Sequence, residues 1–236
     1  MNLNDILDGL FPAGHAVTTS GQLIAGTATT PQGTVAVLGT TDAAALNHDI
    51  ALGLASRILD VVDHHPGRPI VFLVDTQGQA LSRSEELLCL NGSFAHLASC
   101  VDLARRQGHA SLSLVTGEAV SGGFLSWGLM ADKAYALADA QVRVMDLRAM
   151  ARVTKLPHER LVSLAASSPT FAPGAENYLR MGAIEAIWDQ PSSALLDNAL
   201  AQLLAHHALT DPRMDIGLAR EGRNLAAKIV AAVMTA

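Results

Sequence analysis

Aromatic side chains make up only 4% of this 236-residue chain, charged ones 16%, and there are two cysteines. Each scarcity removes a class of function. Base-stacking platforms for single-stranded nucleic acid need aromatics. A nucleic-acid groove or a patch for an anionic membrane needs an excess of basic charge, whereas the formal net charge here is −6. Cys89 and Cys100 fall in one predicted helix, where a rise of roughly 1.5 Å per residue separates them by about 16 Å, too far for a disulfide. Unpaired thiols fit a reducing cytoplasm. The first residues carry Asp5 and Asp8 and no basic cluster, so they do not read as a signal peptide. No apolar run reaches the roughly 18 residues of a membrane helix. The expectation is a cytoplasmic protein with neither nucleic acid nor a membrane among its partners.

What is abundant is apolar surface: 50% of the residues are hydrophobic. That suffices for one sizeable core, and the length favours one domain over residues 1–236, with a helical C-terminal region over about 192–236. Two short strands are expected at 22–28 and 34–38, joined through Pro31-Gln32-Gly33. Asp42 is a candidate cap for a helix that aligns Leu46, Ile50, Leu54, Ile58 and Val62 and stops at Pro66-Gly67. The apolar run 69–74 reads as a buried strand closed by Asp75-Thr76-Gln77-Gly78. A long helix follows from Ser84 to Arg106, with Gly108 as its stop. Residues 110–115 read as another buried strand, 133–137, 141–145 and 184–188 as shorter ones, and 192–206 and 216–233 as amphipathic helices. Repeated strand–helix units suit a doubly wound sheet, but the paired short strands favour a spiral of ββα units.

The stretch Gly117-Glu118-Ala119-Val120-Ser121-Gly122-Gly123-Phe124 carries the most chemistry. It leads from the 110–115 strand into an apolar run, 124–131, that reads as a helix. The first N–H groups of a helix lack intrahelical acceptors and lie at the positive end of its dipole, so a glycine turn there can hold an enolate or carboxylate oxygen. The alternative is that Gly122 and Gly123 merely permit close packing. It is no P-loop, because Gly123 stands where lysine must be, and it contains no dinucleotide fingerprint. Ser121 lacks the glycine of a nucleophile elbow, and no histidine lies between His109 and His158 to serve it as a base. The glycine of Asp75-Thr76-Gln77-Gly78 ends an earlier strand, and N–H groups from two strand ends can converge on one oxygen. The nine histidines include His64-His65 and His206-His207 at helix ends, but neither an H-E-x-x-H nor a Cys/His cluster occurs, so no metal is expected. Arg143, Arg148, Arg152, Lys155 and Arg160 form either a solvated face or a surface for an acidic partner or phosphate arm.

These segments resemble a known group. Residues 69–78 resemble the P-I-x-x-x-x-D-T-P-G strand of biotin-dependent carboxyltransferase subunits, residues 117–124 their G-E-G-x-S-G-G-A, and residues 176–189 their L-G-x-I-D-x-I segment. Gln77 replaces a proline of that pattern, and Ala119 replaces a glycine. Within the group, Asp75-Thr76-Gln77-Gly78 and the run Ser121-Gly122-Gly123-Phe124-Leu125-Ser126-Trp127-Gly128 are most similar to the gamma subunit of biotin-independent malonate decarboxylase. The resemblance implies an α/β crotonase-like spiral of ββα units. It implies a homologous beta subunit as partner and, as substrate, a malonyl thioester on the phosphopantetheine-type group of an acyl carrier protein, with no cofactor bound directly. The reaction implied is decarboxylation to the acetyl carrier protein and carbon dioxide. By the same resemblance Gly122, Gly123, Gly78 and Gln79 hold the departing carboxylate, beside Ser121, while the thioester lies mainly on the partner. Two other readings remain: a carboxyltransferase subunit of a biotin-dependent acyl-CoA carboxylase, and a scaffold that completes its partner's site. A crotonase-type hydratase would need a glutamate at the turn, and Glu118 alone is there.

Overall fold

A computed structural model describes residues 1–167, 172–205, 210–222 and 224–235. His206 and His207 lie outside the described residues. Helix α1 (Leu3–Leu10) has a capping box between Asn2 and Asp5 and buries Ile6, Leu7 and Leu10. Strands β1 (His15–Ser20), β2 (Leu23–Thr30) and β3 (Gly33–Thr40) form an antiparallel meander, and β4 (Ala44–Leu46) leads into helix α2 (His48–His64). Strand β5 (Ile70–Gln79), helices α3 (Arg83–Leu87) and α4 (Leu90–Arg106), and strand β6 (Ser111–Val120) follow. Next come α5 (Ser121–Leu125), β7 (Lys133–Leu137), β8 (Gln141–Arg143), α6 (Leu147–Thr154), α7 (His158–Ser167), α8 (Ala175–Arg180) and β9 (Ala186–Trp188). Helices α9 (Ser193–Ala205), α10 (Arg213–Ala219) and α11 (Asn224–Met234) complete the described chain.

The strands make one sheet in the order β1-β2-β3-β5-β6-β7-β9, with β4 on β5 and β8 on β6 off that path. Strands β3, β5, β6, β7 and β9 run parallel. The first halves of β5 and β6 are apolar without alternation because both faces are covered: Ile70 to Val74 and Leu112, Leu114 and Val115 are fully buried.

Both long strands change partners halfway. Strand β5 pairs with β3 through Leu73 and with β4 from Thr76, while β6 pairs with β7 through Val115 and with β8 from Glu118. Between them the register slips, since Val74 opposes Val115 but Thr76 opposes Ala119. The Asp75 side chain fills this break. One carboxylate oxygen accepts the Glu118 N–H at 2.8 Å and the other accepts the Ala43 N–H at 2.9 Å. A methyl group on Gly117 would lie within 3 Å of all three carboxyl atoms, so glycine is required opposite Asp75.

Several expectations shift accordingly. Asp75-Thr76-Gln77-Gly78 lies inside β5 rather than closing it. Asn47, not Asp42, caps α2 by accepting the Ile50 N–H, and Asp42 sits in the left-handed region at φ 57°. The expected helix 84–106 is two helices: it starts at the Ser82 cap and breaks at Cys89, whose φ is 60°. Cys89 is therefore exposed at a helix junction, while Cys100 is buried in α4, and burial pushes its thiol up. The basic stretch is likewise two helices, parted at Lys155, and 216–233 divides into α10 and α11.

Asp75→Ala leaves two backbone donors without their acceptor, at about 1–3 kcal/mol each. Urea unfolding should show a loss of about 2 kcal/mol or more, with Asp75→Asn milder because it keeps one acceptor oxygen. Equal stability of Asp75→Ala and the wild type would remove the carboxylate from this structural role.

Candidate functional site

The second halves of β5 and β6 deliver the two glycine segments to one place. A Cβ on Gly123 would stand 2.7 Å from the Gly78 Cα and 2.8 Å from its carbonyl carbon, so these two backbones are in direct contact. Gly78 has φ +101°, a conformation that excludes side chains, and a Cβ there would also meet the Val120 carbonyl oxygen at 3.2 Å. Beneath them lies Thr76, fully buried. Its hydroxyl donates to the Ala44 carbonyl at 2.7 Å and accepts the Gly78 N–H at 3.1 Å. The Gly78 N–H is thus engaged within the chain.

The turn itself differs from the expected long helix. Helix α5 has five residues, Ser121–Leu125, and turns follow it. Few peptide dipoles add over so short a helix, so its field is a minor contribution. The donors matter more. Gly122 and Gly123 are at the helix start, where N–H groups have no intrahelical acceptor, and Val120 gives no side-chain cap. Gly122 is half-buried and Gly123 buried. Phe124 and Trp127 anchor the turn from behind, and Trp127 meets Phe72 of β5 edge to face, centroids 5.6 Å apart.

Ser121 occupies the left-handed region at φ 52°, which is uncommon for a residue with a side chain and recurs at functional sites. Its hydroxyl has no hydrogen-bond partner among the described residues, so no base is engaged with it. Gln79 approaches through its side chain. Its Oε1 is buried, has no partner among the described residues, and lies 3.6 Å from where a Gly122 Cβ would be. Phe94 of α4 bounds the same spot at 3.7 Å. Phe94 had no signal in the sequence, because it is brought in by the packing of α4; Gln79 was expected here, and the extension of β5 brings its side chain to Gly122. Glu118 faces the opposite way in function: its carboxylate pairs with Arg143 of β8 at 2.9 Å.

All five expected positions, Gly78, Gln79, Ser121, Gly122 and Gly123, therefore lie together at the ends of β5 and β6. Chemically the cluster offers backbone N–H groups and an amide, with neither a base nor a nucleophile–base pair. Among the described residues no group of three or more His, Cys, Asp or Glu could hold a metal, and no helix is long and apolar enough to cross a membrane.

Residues 41–236 match the model of a family described as malonate decarboxylase gamma subunit. A malonyl-S-ACP:biotin-protein carboxyltransferase of Malonomonas rubra is 34% identical over 126 residues, which span 52% of this chain and 43% of that protein. A Pseudomonas malonate decarboxylase hetero-tetramer in complex with coenzyme A has a chain of the same fold, with a TM-score of 0.81, 24% identity and 97% of both chains covered. The Pseudomonas MdcD-MdcE hetero-dimer gives 0.78 at 23% identity, over 98% of this chain and 97% of that one. Transcarboxylase 12S, with methylmalonyl-coenzyme A bound, shares the crotonase-like fold at a TM-score of 0.74 and 16% identity, across 89% of this chain and 42% of that one.

Two substitutions test the turn. Ser121→Gly removes a left-handed side chain and should raise stability by about 1 kcal/mol. Gly123→Ala forces a methyl group against the Gly78 backbone and should lower stability by about 1–3 kcal/mol. Thermal or urea unfolding reads both, and an unchanged Gly123→Ala would mean that the two glycines are not in contact.

Proposed function

Because this chain belongs to the malonate decarboxylase gamma-subunit family, we propose that it joins a homologous beta subunit to remove carbon dioxide from a malonyl group, held as a thioester on the phosphopantetheine of an acyl carrier protein. The observation that carries this reading is the pair of N–H groups at Gly122 and Gly123, which have no backbone acceptor among the described residues, in a turn whose Gly123 lies against Gly78. In the reaction the bond between the carboxyl carbon and the α-carbon breaks. Its electron pair moves into the thioester as an enolate, carbon dioxide leaves, and a proton returns to the α-carbon. Such a step needs aimed donors rather than a strong base.

The donors on this chain act on the carboxylate. A donor on the thioester oxygen gains strength as charge develops and is worth about 3 kcal/mol of barrier. A donor on the carboxylate weakens as neutral carbon dioxide forms, so it binds and orients rather than accelerates. Gly122 and Gly123 take the second role, and the beta subunit takes the first. Gly78 serves by close approach, since Thr76 accepts its N–H.

Apolar surface supports the obligate partner. Leu81, Leu87 and Leu88 around α3 are exposed, as are Leu225, Ile229, Val233 and Met234 of α11, which buries none of its described residues. Surfaces of this kind are normally covered in an assembly. The two free thiols support a cytoplasmic location. The Malonomonas relative supplies a second reading, in which the same site passes the carboxyl group to biotin.

Carbon dioxide release from a malonyl thioester by this chain, its beta partner and the pair, with and without avidin, separates these. Release only by the pair and unaffected by avidin is expected. Release abolished by avidin would favour the biotin reading, and release by the beta subunit alone would leave this chain without a role in the step. Gly122→Ala adds a methyl group that meets only ordinary contacts, so the fold should persist. In the assembled pair it should raise KM about tenfold with kcat little changed, whereas a loss in kcat alone would put these donors on the enolate.

A further inference from the structure

The hairpin α6–α7 carries a charge pattern that the proposed chemistry does not use. In a chain of net charge −6, residues 143–160 hold five of the 16 Lys and Arg residues and only two acids, Asp146 and Glu159. Arg143 is paired with Glu118. Arg148, Arg152, Lys155 and Arg160 are exposed and make no ion pair among the described residues. The Asp146 carboxylate is committed to its own helix, accepting the Ala149 N–H at 2.8 Å, and that bond, with smaller help from Arg152 and Arg143, holds its carboxyl below the usual range. Arg148, Arg152 and His158 line an open groove with Asp146 and Leu147.

The hairpin also stands apart from the core. Helix α6 buries none of its residues and packs against α7, which is anchored by the fully buried Leu161. Val144, Val153 and Val162 are exposed among the cations. Its position is set by β8, where Arg143 is the register partner of Val120, the residue before Ser121. From Arg143 to the Asp146 cap is three residues, a reach of at most about 11 Å. The basic face therefore begins beside the glycine turn.

We propose that the α6–α7 hairpin is the docking surface for the acidic carrier protein that brings the malonyl thioester to this site. The assignment rests on the function proposed above. Charge complementarity selects the occupant: the ridge of exposed cations and valines attracts an acidic, partly apolar partner, and two such ridges face to face repel, which disfavours a symmetric pairing of two copies through it. Exposed charges that are not desolvated suit a transient engagement of the carrier, because they act mainly on the association rate.

The test uses the assembled pair carrying Arg148→Glu, Arg152→Glu and Lys155→Glu together. Two substrates are compared, a malonyl-loaded acyl carrier protein and malonyl-pantetheine, and binding of the unloaded phosphopantetheinylated carrier is titrated at low and high salt. The triple variant should raise KM for the carrier-bound thioester by about tenfold or more, with kcat and all constants for malonyl-pantetheine unchanged. Carrier binding by the wild-type pair should weaken with salt, and the variant should bind weakly at both. Unchanged carrier affinity in the variant, equal losses on both substrates, or dissociation of the beta subunit would each overturn the proposal, the last by assigning the hairpin to the subunit interface. If the wild-type pair turns over neither thioester, the decarboxylation reading fails, and the carrier titration still decides the docking surface.

Discussion

The two N–H groups bonded by the Asp75 carboxylate belong to different segments, Ala43 before β4 and Glu118 in β6. They sit where the sheet changes its pairing scheme. Upstream of Asp75 the order is β3-β5-β6-β7, and downstream β5 and β6 are flanked by β4 and β8. A β-strand cannot switch neighbours without leaving backbone donors unpaired at the break. Here the Asp75 side chain accepts two of them, and Thr40 adds a bond from its hydroxyl to the Asp75 carbonyl at 2.9 Å.

From that brace the rest of the site follows. Beyond it β5 and β6 continue side by side, so Gly78 and Gly123 arrive at contact distance. The buried Thr76 hydroxyl locks the first loop to β4, and Phe124 and Trp127 lock the second to the core. Among the described residues, what stays uncommitted around the turn is small: the Gly122 and Gly123 N–H groups and the Ser121 hydroxyl as donors, the Gln79 amide oxygen as an acceptor, and the buried Ser126 hydroxyl and Trp127 indole N–H. A rigid frame around a few unpaired donors is the arrangement that electrostatic preorganisation requires, since no reorganisation is needed when the charge shifts.

The sequence showed some of this better than the rest. Strands buried on both faces are continuous apolar runs, so Ile70 to Val74 and the start of β6 are legible. Their extensions are not, because Asp75, Thr76, Gln77, Gly117 and Glu118 are turn-forming or polar residues, and they become strand only through the Asp75 bonds and the flanking β4 and β8. Strand β1 is polar and mostly exposed at the sheet edge, and β4 has three residues, too short for any periodicity. The break at Cys89 carries neither glycine nor proline to announce it. The positions of the glycine cluster were legible from two motifs at strand ends, whereas the Thr76 hydroxyl taking the Gly78 N–H, the Gln79 side chain and Phe94 depend on tertiary packing. Of the two meanings open for the basic stretch, solvated face or docking surface, only its placement beside Val120 discriminates.

In the function we propose, this chain supplies half of an active site: it orients the carboxylate and its partner stabilises the enolate. A crystal structure of the assembled pair with a non-cleavable malonyl thioester analogue tests that division directly. The account predicts carboxylate oxygens within about 3 Å of the Gly122 and Gly123 nitrogens, with the thioester carbonyl held by the partner. A thioester oxygen on those nitrogens, or a carboxylate bound away from them, would contradict it.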